Sequence, residues 1–221
     1  MSVLLNPLFI LKKLQLDAIK RYGSKLSGRV LDIGCGTRPY RNMIKARLYI
    51  GVDELITVRP DVCGSCRPLA FRDGSFDSVI CTELLEHVRE PEACIAEIAR
   101  VLKQGGCAYI TAPQTWCLHY EPDDYWRFTR YGLEYLLRKS GFDIESVERI
   151  GGIFSLVGVR LTDVAWTRLS EGLSFIGSRN AQRIATAMCL GFSLGFYALG
   201  VLGDAIDKKD ALGWMILAKK I

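Results

Sequence analysis

Two clusters of residues in this 221-residue chain have the types and spacing to do chemistry. In "LDIGCGTRPY", Gly34 and Gly36 let a backbone turn approach a ligand closely, with Asp32 ahead of them, Cys35 between them and Arg38 just after. A nucleoside-binding turn of this kind is completed by an acid on the next strand, which accepts hydrogen bonds from the ribose hydroxyls, and Asp53 stands where that acid belongs. The second cluster is "HYEPDDYWRFT", in which His119, Glu121, Asp123, Asp124, Tyr125, Trp126 and Arg127 fall within nine residues. His119 or Asp123 is the expected base or acceptor-orienting group, and Arg127 the expected cation for an anionic part of a substrate. A plainer reading keeps Tyr125, Trp126 and Phe128 as anchors of the loop, with its acids in solvent.

Both clusters need a scaffold that brings them to one edge. From Arg29 onward, apolar strand-like runs alternate with helix-like segments, the pattern of a parallel sheet covered by helices. Strands are expected at 30–33, 48–53, 78–81, 107–112, in "FDIESVERI" and in "GWMILAKK". Helices are expected to begin near Pro39, to occupy 83–88, to run from Pro91 to Gly105-Gly106 with Ile95, Ile98, Ala99 and Leu102 on one face, and to run from Thr129 or Arg130 to Gly141. The predicted fold is α/β, a Rossmann-like doubly wound and mostly parallel sheet. Its organisation reads as an amphipathic N-terminal helix at 1–26 and one domain at 27–221, with 152–212 a helical apolar insertion before the last strand. In such sheets ligands collect beyond the carboxyl ends of the strands, where both clusters fall.

The turn also discriminates between ligands. In a dinucleotide fingerprint a third glycine permits close helix–strand packing, and Pro39 occupies that place. Asp32 disfavours a pyrophosphate and suits an ammonium group, which argues against a nicotinamide-dependent oxidoreductase. The stretches "VLDIGCGTRPY", "YIGVDE", "DGSFDSVICTELLEHV" and "EPEACIAEIARVLKQGGCAYITAP" together resemble a class I S-adenosylmethionine-dependent methyltransferase of the type-11 group, over roughly 27–150. The resemblance implies an antiparallel last strand, S-adenosylmethionine as cofactor, Asp32, Gly34 and Gly36 as the methionine-binding turn, and Asp53 as the ribose acid. It places the adenine at Gly64-Ser65-Cys66, with Ser65 where relatives often carry an acid, and the turn under the cofactor at Cys81 and Thr82. Arg38 stands where many such enzymes have another glycine, and is expected to cover the cofactor's carboxylate or to reach the acceptor.

The implied reaction is an in-line displacement at a sulfonium methyl, so orientation of the acceptor supplies most of the catalysis, on the order of 7–11 kcal/mol. A small-molecule or lipid- or glycan-linked acceptor is expected, with oxygen slightly favoured; the alternative is a methyltransferase-like binding or regulatory protein that transfers nothing. Asp73-Gly74 and Phe76 read as scaffold, and His87 as either a structural hydrogen-bonding group or one that reaches the reaction site.

Composition narrows the class. A net charge of +5 without a basic run speaks against a nucleic-acid partner. The eight cysteines are scattered, and Cys63-Gly64-Ser65-Cys66 has no second pair at zinc spacing, so reduced thiols, a cytoplasmic setting and no metal are expected. Residues 184–203 carry no charge, with Ala187, Gly191 and Gly195 four apart. Core or homodimer packing, contact with the inner face of a membrane, and a re-entrant or spanning element all remain open for this stretch. A single span is opposed by the need to return the last strand to the sheet.

Overall fold

The computed structural model describes residues 8–206 and 208–221; the first seven residues of the expected N-terminal segment lie outside it. In chain order the elements are α1 (Phe9–Tyr22), β1 (Ser27–Ile33), β2 (Lys45–Asp53), β3 (Val62–Cys63), β4 (Phe76–Thr82), α2 (Pro91–Val101), β5 (Leu102–Pro113), α3 (Arg130–Lys139), β6 (Phe142–Ile150), α4 (Ile153–Gly172), α5 (Ser178–Gly203) and β7 (Gly213–Lys220). They divide into two compact units, residues 18–148 with 213–221, and residues 8–17 with 149–212.

The larger unit is built on a seven-stranded sheet of order β3-β2-β1-β4-β5-β7-β6. Its central strands pair in parallel, and β7 runs antiparallel to β5, pairing Cys107 with Lys219 through Pro113 with Gly213. Val30, Leu31, Val79, Ile80, Ala108 and Ile110 are all fully buried, which is why these strands read as unbroken apolar runs. Pro91 opens α2 at its first turn, and Cys94, Ile95, Ile98 and Ala99 form its buried face. Thr129 caps α3 by accepting a hydrogen bond from the Gly132 amide at 3.1 Å. The Asp73–Phe76 turn is scaffold: Arg100 donates to the carbonyls of Leu69 and Phe71 and to Asp73, and Phe76 is fully buried.

Three local expectations are corrected. No α-helix begins near Pro39; the chain makes a 3-10 turn at Arg41–Met43 and is already in β2 at Lys45. Ile44, extended at φ −116° and ψ 124°, ends that turn after three residues. Gly105 and Gly106 do not stop α2, because β5 begins at Leu102 and carries both glycines across a register shift opposite Phe76 and Ser78. The segment expected as a short helix at 83–88 is a single 3-10 turn, Leu85–His87, preceded by Glu83 at φ 49°.

The smaller unit is helical. Thr162 and Ser193 hydroxyls meet at 3.4 Å between α4 and α5, and the Trp166 indole donates to Thr186 at 3.0 Å. Asp204 accepts from the Phe154 amide at the start of α4, and Phe9 stacks edge-on against Tyr197.

Candidate active site

At the carboxyl ends of β1, β2 and β4 the larger unit encloses a cavity of about 570 Å³, the size of a small-molecule site. One wall is the glycine turn. The amides of Gly34 and Cys35 donate to Val52, and that of Arg38 to Cys35, which ties the turn onto β2. Gly36 donates to Asp53 Oδ2 at 2.9 Å, while a side chain at Gly36 would meet nothing within 4 Å. Asp53 Oδ1 accepts from Leu55, so each oxygen keeps a lone pair for a further donor. The Gly64 amide donates to the Asp53 carbonyl at 3.0 Å and brings Ser65 and Cys66 to the same wall.

Glu83, Leu84, His87, Tyr120, Asp123 and Tyr125 also line the cavity, with Leu84 packed directly on Gly34. Here the 114–128 loop is bound to the segment after β4: Tyr125 and Trp126 amides both donate to the Glu86 carbonyl, and the Trp126 indole donates to that of Val88. His87 Nδ1 lies 2.6 Å from the Asp123 carbonyl. A carbonyl only accepts, so Nδ1 carries the proton and Nε2 is the basic nitrogen of the neutral ring. Nε2 is 3.8 Å from Glu86, whose side chain is fully buried with neither oxygen hydrogen-bonded. Burial, reinforced by the charge of Glu83, pushes the Glu86 carboxyl up to about 9, so it is protonated at neutral pH.

The two clusters are only partly brought together. Gly34, Gly36, Asp53, Ser65, Cys66 and Asp123 line the cavity. Asp32 does not, which removes its expected contact with an ammonium group: it is 1% exposed, accepts from the Tyr49 hydroxyl, and burial pushes it up to about 7. Cys35 is buried against Gly51, and burial pushes its thiol up to about 12. Cys81 is core, and neither it nor Thr82 is among the residues that line the cavity. Arg38 points away and binds Asp61 at 2.8 Å and the Arg59 carbonyl at 2.6 Å. The absence of a helix after the turn also removes the helix-end anion site that such a turn usually opens.

In the loop, His119 packs edge-on against His87 with centroids 4.7 Å apart, and burial holds its imidazole below the ordinary value. Arg127 is not free for a substrate anion. Its guanidinium makes five hydrogen bonds, two of them to Asp124 and three to the carbonyls of Trp116, Cys117 and Trp126, and five is all it can donate. The pairing holds the Asp124 carboxyl far below the usual range. Glu86, His87 and His119 bring potential metal-ligand atoms within 4.8 Å of one another, three donors where a closed structural zinc site takes four. Glu83, Leu84 and Tyr120 were missed; an acid directly after the buried run of β4 was the one signal that pointed to Glu83.

Residues 31–110 match the family model for a methyltransferase domain. This is a class I S-adenosylmethionine-dependent methyltransferase domain. The chain is 30% identical over 123 residues to a ubiquinone biosynthesis O-methyltransferase of Chromobacterium violaceum, covering 48% of this chain and 53% of that protein. It is 29% identical over 150 residues to one from Dechloromonas aromatica, covering 60% and 62%. The chain thus spans about half the length of the first of these relatives. Among solved structures, the [4+2]-cyclase SpnF superposes with a TM-score of 0.59 at 21% identity, covering 94% of this chain and 81% of that one. Phosphoethanolamine N-methyltransferase 2 of Haemonchus contortus, in complex with S-adenosyl-L-methionine, gives 0.56 at 23% identity, covering 93% and 52%. A cyclase and methyltransferases share this architecture, so the site must decide what it does.

The cavity of the methyltransferase domain suits S-adenosylmethionine. The open face of Gly36 is a cradle that any side chain would fill, a side chain at Gly64 would likewise meet nothing within 4 Å, and the spare lone pairs of Asp53 match a diol.

Proposed function

We propose that the chain transfers the methyl group of S-adenosylmethionine by in-line displacement to a small-molecule or lipid- or glycan-linked acceptor, with oxygen the favoured acceptor atom, in the cytoplasm or at the inner face of a membrane. The cavity carries this reading: Gly36, Asp53 and Gly64–Cys66, suited to a nucleoside, line one space together with His87, Tyr120, Asp123 and Tyr125. When bound, the cofactor supplies a methyl group on a positively charged sulfur, open to attack from the opposite side. Asp53 holds the ribose hydroxyls, and Gly36 allows close approach without a steric barrier.

His87 is the residue we assign to the proton. Its tautomer is set by Asp123, so Nε2 receives the hydroxyl proton of the acceptor as the new bond to carbon forms. Asp123 acts through its backbone, His119 backs the His87 ring, and Arg127 with Asp124 fixes the loop that carries them. Tyr120 and Tyr125 contribute aromatic rings to the acceptor side.

The test is a labelled-methyl assay on lysate of the source organism, separated into lipid, polysaccharide and small-molecule fractions. Label in any fraction, lost in Asp53→Ala, supports transfer. Label confined to the aqueous small-molecule fraction removes the lipid- and glycan-linked acceptor. Cofactor binding by calorimetry with no label anywhere favours the silent binding protein.

A further inference from the structure

We infer that the α4–α5 hairpin of the smaller unit docks on an anionic lipid surface, with the outward half of α5 lying in the membrane interface. This rests on the hairpin's own surface and does not depend on methyl transfer.

The buried side of α5 is accounted for. Ala181, Ala185, Cys189, Ser193, Gly200 and Gly203 are buried along one stripe, and Tyr197 is held by Phe9 and Asp17 of α1. The remaining side is apolar and open. Ile184, Met188, Leu194, Leu199, Val201 and Leu202 are exposed, Leu202 at 75%, and the apolar window of this helix is only 22% buried. At about 100° per residue these positions sweep roughly half the helix circumference. Val157, Leu161 and Val164 form a separate exposed apolar row on α4, round the helix from the positions that meet α5. Patches of this extent on soluble proteins mark interaction sites.

Three features select lipid. A partner helix covers a stripe little wider than about 100°, whereas a bilayer interface covers a half-cylinder. The charge is one-signed: α5 has Arg179 and Arg183, both exposed, directly before the uncharged run, and no acid in its 26 residues. Arg168 contributes nothing to this, since it is paired with Glu171 at 3.1 Å. Trp166 lies at the same level as the arginines' end of the run, bonded to Thr186, where an indole suits the headgroup boundary. The hairpin lies in the interface and does not cross it, because α4 carries Arg160 and Asp163 beside Thr162, opposite the middle of the uncharged run at Ser193.

Flotation of the full chain with vesicles tests this. Binding is expected to vesicles of phosphatidylglycerol and phosphatidylcholine, to weaken with added salt, and to fall with phosphatidylcholine alone. Met188→Glu with Leu202→Glu should cut binding about tenfold or more. Arg179→Gln with Arg183→Gln should remove the preference for the anionic lipid. Thermal unfolding and cofactor binding measured on the same variants show that the fold is intact and keep this outcome separate from the catalytic one. No binding to either vesicle by the intact chain overturns the inference, as does a stable dimer that the Met188→Glu, Leu202→Glu pair dissociates while vesicle binding is unchanged.

Discussion

The proton chemistry turns on two neighbours, His87 and Glu86. Replacing His87 with Gln keeps a polar side chain but removes the basic nitrogen, so kcat should fall by about 10²–10⁴ with KM nearly unchanged, and exogenous imidazole should restore part of the turnover. A parallel loss in KM would instead mark His87 as a binding group. Glu86 makes a separate statement about stability. Its pKa is raised in the folded state, to about 9, and so is that of Asp32, to about 7. The folded protein therefore binds more protons than the unfolded chain between the two sets of values. Their stabilising contribution is full only below the ordinary carboxylate range, and it declines as pH rises from there to about 7 for Asp32 and to about 9 for Glu86. Urea unfolding should show stability declining over that range, and Glu86→Gln should flatten the decline and gain about 1–3 kcal/mol at its alkaline end. Asp124 works the other way, its contribution lost only as acid protonates it. Much at this scale was legible in the sequence: Gly36 and Asp53, expected from spacing, and Cys66, expected from the family resemblance, line one cavity. Asp32 and Arg127 did not, because spacing fixes a residue's position on the chain and leaves open which partners its side chain meets. Tyr49 and Asp124 claim them first.

At the scale of elements, the 114–128 loop is held by one ion pair as much as by its aromatics. The Asp124 side chain is 1% exposed, so losing its fork of donors leaves a nearly buried charge. Arg127→Lys, which cannot reproduce the planar five-donor geometry, should cost about 3 kcal/mol, lower the melting temperature, and raise the acceptor KM more than the cofactor Kd. Equal weakening of both would show that the clamp serves the whole cavity. The glycine turn makes the opposite prediction. At Gly36, φ is 48° and the space beyond is the cradle itself, so Gly36→Ala should weaken S-adenosylmethionine binding at least tenfold by calorimetry, with a smaller loss of stability. Helix and strand identities were mostly readable because α2 has a strong helical period and the central strands are short unbroken apolar runs. The missing helix after β1 was not, because Pro39 suits a first helical turn equally well in a sequence that never grows one.

For the whole molecule, the two compact units differ in how they are held together. The larger has a continuous core running from Leu31 and Phe76 to Ile216, while α5 buries little of its apolar length. Hydrogen exchange should accordingly be slowest in β1, β4 and β5 and faster by orders of magnitude along the exposed half of α5, with vesicles slowing only the latter. The α/β order was plain from alternation. What the apolar run at 184–203 faces was not, since a buried helix and an exposed one have the same composition. The order of synthesis has a consequence of its own. β7 separates β5 from β6 in the sheet, yet it is made after the α4–α5 hairpin. On the ribosome, then, the edge of β5 that β7 will take stays open until the last strand is made, so insertion of β7 between β5 and β6 is expected to be the closing step of the sheet.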